Sequence, residues 1–126
     1  MFVTAQGSAL TRFRRALDNG NLVEALSSAS EMEHVGLVES LELCLLLVKK
    51  EPAKYERAAL RWHAKYCAEA RGVSATEAQA VLSLLVLLPG EGGPASAAAL
   101  AHLIGAHRGQ ERATEALLRW VEARAG

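Results

Sequence analysis

Aromatic side chains are scarce in this chain, six among 126 residues, and a single isoleucine accompanies them although 51% of the residues are hydrophobic. The interior must therefore be built from Leu and Ala, residues that favour helices and let helices approach closely. Only two cysteines are present, Cys44 and Cys67, both inside helical patterns, which excludes a disulfide framework and fits a reduced, cytoplasmic setting. Net charge is absent as well, with 14 Lys and Arg against 14 Asp and Glu, so the chain lacks the cation excess on which general nucleic-acid affinity depends. The longest apolar run, Val81 to Leu88 with Ser83 interrupting it, falls far short of the roughly 18 residues of a membrane-spanning helix. At the N-terminus, MFVTAQGSALTRFRR has no basic segment followed by an apolar run and a small-residue cleavage site, so no signal peptide is expected. Abundant Ala, Arg, Gly and Leu read as the coding bias of GC-rich bacterial DNA.

What is present is helical period from end to end, with no sustained alternation of the strand type. The expectation is an all-α chain forming one domain, residues 1–126, of about seven helices packed as antiparallel hairpins in a compact bundle or a short solenoid-like array. The first helix should start at the cap Ser8 and close at Asn19-Gly20, and the second should run over about 22–33. Gly36 separates the second from a third over 37–50, and Pro52 suits the first turn of a fourth that ends at Gly72. Ser74-Ala-Thr-Glu77 has the form of a reciprocal capping box opening a fifth helix. PGEGGP, residues 89–94, reads as a mobile loop, followed by helices over about 95–107 and 110–125. The fifth helix carries VLSLLVLL, apolar on nearly every side, which predicts a central position beside the third helix. In a homodimer the same run would be an interface instead.

A faint repeat links ERAALRW at 56–62 with TEALLRW at 114–120, each on the second helix of a hairpin. GNLVEAL resembles the turn and second-helix start of a tetratricopeptide hairpin, with Ala25 as its small residue, but only over one turn. That repeat's first-helix glycine falls on Phe13 and its closing proline on Leu37, so the resemblance implies no ligand groove.

No motif carries a reaction. Glu31 and His34 have the Glu-x-x-His spacing of di-iron bundles on one helical face, without the second motif and further carboxylates that such sites need. His63 and Cys67, four apart, supply two metal ligands where a zinc site needs more, and His102 and His107 point to different faces. Neither a phosphate-binding loop nor a nucleophile arrangement is present. The expectation is a non-enzymatic chain with no cofactor and no metal.

Charge order is the sharper signal. Between Arg15 and Lys49 six acidic residues accumulate with no basic one among them, and residues 49–72 then carry seven Lys or Arg against three Glu. At about 100° per residue, Lys54, Arg57, Arg61 and Lys65 form one narrow stripe on the fourth helix, with Tyr55, Trp62 and Tyr66 clustered beside it. The aromatics are expected in the core. The stripe is expected mainly to balance the acidic residues of the second and third helices, leaving its outer edge as a candidate partner surface. These patterns point to a protein-interaction or regulatory module, with nucleic-acid association through the first and fourth helices as the first alternative and an unrecognised enzyme as the last.

Overall fold

The computed structural model describes residues 5–125, and among them the chain is all-α. Its seven α-helices are α1 (Ala5–Asp18), α2 (Leu22–Ser30), α3 (Leu37–Lys50), α4 (Tyr55–Glu69), α5 (Ala75–Leu87), α6 (Gly93–Gly105) and α7 (Glu111–Ala125), with a 3-10 turn, Pro52–Lys54, leading into α4. Helices adjacent in sequence pack as hairpins, and α7 returns to lie against α3.

Local chemistry explains most of the boundaries. Gly20 takes φ 66°, the left-handed conformation that ends α1, and Asn21 caps α2 by accepting the Glu24 N–H at 3.1 Å. Ser8 is not a cap, because α1 runs through it from Ala5. The second helix stops at Ser30, three residues earlier than expected, with Met32 N–H donating to the Ala29 carbonyl at 3.1 Å as the chain tightens. That early stop lets Met32 fold inward against Phe13 and Ala16 of α1. The capping box before α5 forms by half: Ser74 Oγ accepts from Glu77 N–H at 3.1 Å, while the Glu77 carboxylate turns to His107.

Gly93 and Pro94, expected in the loop, open α6 instead, with proline in the first turn where no amide hydrogen is needed. Gly93 is buried, and a Cβ there would collide with the Leu88 carbonyl oxygen and sit 3.2 Å from the Trp120 ring. The glycine therefore serves the close approach of α6 to the end of α5.

Two apolar clusters form. The larger joins α3, α4, α5, α6 and α7 around Leu41, Trp62, Leu85, Leu100 and Leu117, and the smaller joins α1 and α2 around Phe13. Trp62 and Tyr66 are buried as expected, stacked with ring centroids 5.1 Å apart, and Trp62 Nε1–H donates to the Leu37 carbonyl at 2.9 Å. Helix α3 serves both clusters, since Leu41, Cys44 and Val48 enter the larger one while Leu43 and Leu46 pack on the smaller.

Helix α5 does not share that central role, which corrects the expectation from its sequence. It packs against α4 and α6 alone, burying Val81 and Leu85, and leaves Val86 61% and Leu87 53% exposed. An all-round apolar pattern fits a buried helix, but pattern alone cannot reveal whether the chain contains enough other helices to surround it. Leu85→Ala should therefore cost about 2 to 5 kcal/mol in urea unfolding, through lost burial and a residual cavity. Val86→Ala and Leu87→Ala should stay within about 0.5 kcal/mol of the parent, as exposed positions do. A loss at Val86 as large as that at Leu85 would contradict this placement of α5.

Candidate functional site

The four cations of the α4 stripe have different fates. Lys54 lies 3.4 Å from Glu51 of the same turn, and both side chains are largely exposed, so the pair contributes little. Lys65 Nζ donates to the Val35 carbonyl and is committed to holding the segment before α3. Arg57 and Arg61 are exposed and have no carboxylate partner among the described residues.

Four of the six acidic residues, Glu24, Glu31, Glu39 and Glu42, are paired with arginines of α1 and α7 rather than with the stripe, which corrects the second expectation. Arg14 of α1 bonds Glu39 and Glu42 of α3, the latter at 2.6 Å, while Arg112 and Arg119 of α7 approach the same two carboxylates at 3.1 and 3.9 Å. Arg12 meets Glu31 at 2.8 Å and Glu24 at 3.8 Å. The helical period accounts for this, because at about 100° per residue Glu39 and Glu42 lie on a different side of α3 from Ser40 and Cys44, which face α4.

His63 and His107 are also occupied. Helix α2 ends before Glu31, so Glu31 and His34 do not share a helical face. His63 Nε2 lies 2.7 Å from the Ala78 carbonyl and 3.7 Å from Cys67 Sγ. A carbonyl only accepts, so that nitrogen carries its proton and does not act as a base toward the thiol. His107 places Nδ1 2.9 Å from the Arg71 carbonyl and Nε2 2.5 Å from Glu77, tying the α6–α7 turn to the start of α5. Among the described residues no group of three or more His, Cys, Asp or Glu could hold a metal ion.

The feature that sequence reasoning missed is an apolar groove of about 430 Å³ between α4 and α5. Leu60, 50% exposed, and Ala59 form one wall, Leu82 and Val86 the other, and Pro52 and Pro89 close one end. Glu56 is the one charged residue on its lining, and α5 carries no charge apart from Glu77. The available signal was VLSLLVLL itself, read as a buried helix rather than a partly uncovered one. A second cleft of about 400 Å³ lies among α1, α3 and α7, but its Arg14, Glu42 and Arg119 are spent on one another. Comparisons with known families, curated proteins and solved structures return no match to this chain.

The core holds three weakly acidic groups in their neutral forms. Burial pushes the Cys44 thiol up to about 12, outweighing the Arg61 charge that acts in the other direction. Burial also raises Tyr55, and it raises Tyr66 to about 12 with a further contribution from Glu77. Tyr55 O–H donates to the Leu85 carbonyl at 2.6 Å, whereas the buried Tyr66 hydroxyl makes no well-formed hydrogen bond and is only approached by the Glu77 carboxylate. Tyr55→Phe should thus cost about 1 to 2 kcal/mol, and Tyr66→Phe should cost less than that. As pH rises past the ordinary values of 9.0 for Cys44 and 10.0 for Tyr66, the unfolded chain releases its protons first, so stability falls up to about 12. Melting temperatures measured across that window should fall less steeply for Tyr66→Phe than for the parent; an identical slope contradicts the assignment.

Proposed function

We propose that this chain is a non-catalytic protein-interaction module whose docking surface is the uncovered α4–α5 face. The observation that carries the reading is the mismatch between α5's composition and its position: an uncharged apolar surface sits at the edge of the fold, beside a groove, rather than inside it. Exposed apolar surface of this kind marks contact sites, and the few hydrogen-bonding groups lining this groove offer little to orient a polar small molecule. Arg57 and Arg61, the two stripe cations left without carboxylates, do not line this groove, whose one charged lining residue is Glu56; Arg61 lines the cleft on the α3 side of α4. The nucleic-acid alternative called on the first helix as well, and two of its cations, Arg12 and Arg14, are engaged by Glu24, Glu31, Glu39 and Glu42.

Photo-crosslinking amino acids placed at Leu60 and Val86, and at exposed Ala98 of α6 as the control, test this in cells of the source organism. One common adduct from positions 60 and 86, absent from 98, is the expected result. No adduct from the groove positions, or the same adduct from all three, contradicts the proposal.

A further inference from the structure

We infer that the cleft between α3 and α4 binds a small organic carboxylate, with Arg61 holding the carboxylate and the apolar part of the molecule lying against Val35, Leu43 and Ala58. This is a different face of α4 from the one proposed to dock a partner, so the two readings stand or fall separately.

Helical period builds the walls. Ala58, Arg61, Trp62 and Lys65 recur at i, i+3, i+4 and i+7 on α4, and Ser40, Leu43 and Cys44 at i, i+3 and i+4 on α3, so the two sets face each other across a cleft of about 250 Å³. The lining carries two cations and no Asp or Glu, in a chain of zero net charge. Glu39 and Glu42, each one position before a lining residue, lie on another side of α3 with the arginines of α1 and α7.

The polar groups on the lining have donors to spare. Arg61 has no carboxylate partner among the described residues, and its charge reaches the Cys44 thiol on the opposite wall, so the guanidinium lies toward α3. Lys65 Nζ spends one N–H on the Val35 carbonyl and keeps two. The Ser40 hydroxyl makes no hydrogen bond among the described residues.

The rest of the lining selects the class of anion. A phosphate presents three strongly hydrated oxygens and is held where free backbone N–H groups converge, at a helix N-terminus or a nest. Here positions 40–44 and 58–65 lie inside α3 and α4, where those groups are bonded already, and Trp62 Nε1–H is committed to the Leu37 carbonyl. A carboxylate needs fewer donors. The Arg61 fork meets both of its oxygens, and Lys65 and Ser40 supply the remaining bonds. Val35, Leu43 and Ala58 then require an apolar group attached to it, and the volume, below the roughly 300 to 1,000 Å³ of pockets for drug-sized ligands, limits that group to a short chain or a single ring.

Titration of hexanoate into isotope-labelled protein, followed by NMR through the arginine Nε–H and backbone amide resonances, tests the inference. A saturable shift of Arg61 Nε–H together with the Ser40 and Leu43 amides is expected, with little change at Arg57, which is exposed one turn earlier on α4 and off the lining. Arg61→Gln should weaken binding by about tenfold or more, Arg57→Gln by no more than about twofold, and Arg61→Lys, which keeps the charge and loses the fork, by an intermediate factor. Both arginines are exposed, and each variant's melting curve establishes that it is folded. Inorganic phosphate that binds more tightly than hexanoate overturns the carboxylate assignment, and acetate that binds as tightly as hexanoate overturns the role of the apolar wall. Shifts that grow without saturating, or equal losses for Arg57→Gln and Arg61→Gln, overturn the site itself.

Discussion

Leu41, Cys44 and Val48 of α3 enter one apolar cluster while Leu43 and Leu46 pack on another, so this single helix is held between two groups of neighbours. Its remaining side carries Glu39 and Glu42, which accept arginines from α1 and α7. Neither carboxylate is freely solvated, with side chains 13% and 15% exposed, so their pairing with Arg14 is worth more than the surface pairs of Arg12 or Lys54. Apolar burial on two sides and charge pairing on a third leave α3 no freedom to exchange neighbours, and the helices before and after it take their places accordingly.

The position of α5 follows. With α4 and α7 both lying against α3, α5 has only α4 and α6 to pack on, and one apolar face remains without cover. Keeping Val86 and Leu87 in water stabilises nothing in the isolated chain, since about 25 cal/mol per Å² of apolar burial is forgone there. On the proposed reading, a partner that covers this face recovers that free energy. Function on this account lives where the fold runs out of helices.

Local signals were readable in the sequence because they act over a few residues. The left-handed glycine at Gly20 and the Ser74 cap each determine their own surroundings, Pro52 opens a 3-10 turn ahead of α4 rather than α4 itself, and the anchoring of Trp62 and Tyr66 follows from their spacing on α4. The misses all depend on distant packing. Helix α2 ends early because Met32 has a place against Phe13, and Gly93 joins α6 because Leu88 and Trp120 leave no room for a side chain. Arg112 and Glu39 are 73 residues apart, and that Arg112 and Arg119, seven residues apart, reach Glu39 and Glu42, three apart, follows only from α7 lying on α3. For the groove, periodicity announced an apolar helix and could not say how many neighbours it would find.

The claim that an apolar face of α5 stands open in the free chain is tested most directly by solution NMR of methyl-labelled Leu and Val residues with a soluble nitroxide. The account predicts strong paramagnetic broadening of the Leu60 and Val86 methyls, with Leu41 and Leu85, both fully buried, unaffected. Protection of Leu60 and Val86 equal to that of Leu85, in a sample shown to be monomeric, would contradict it.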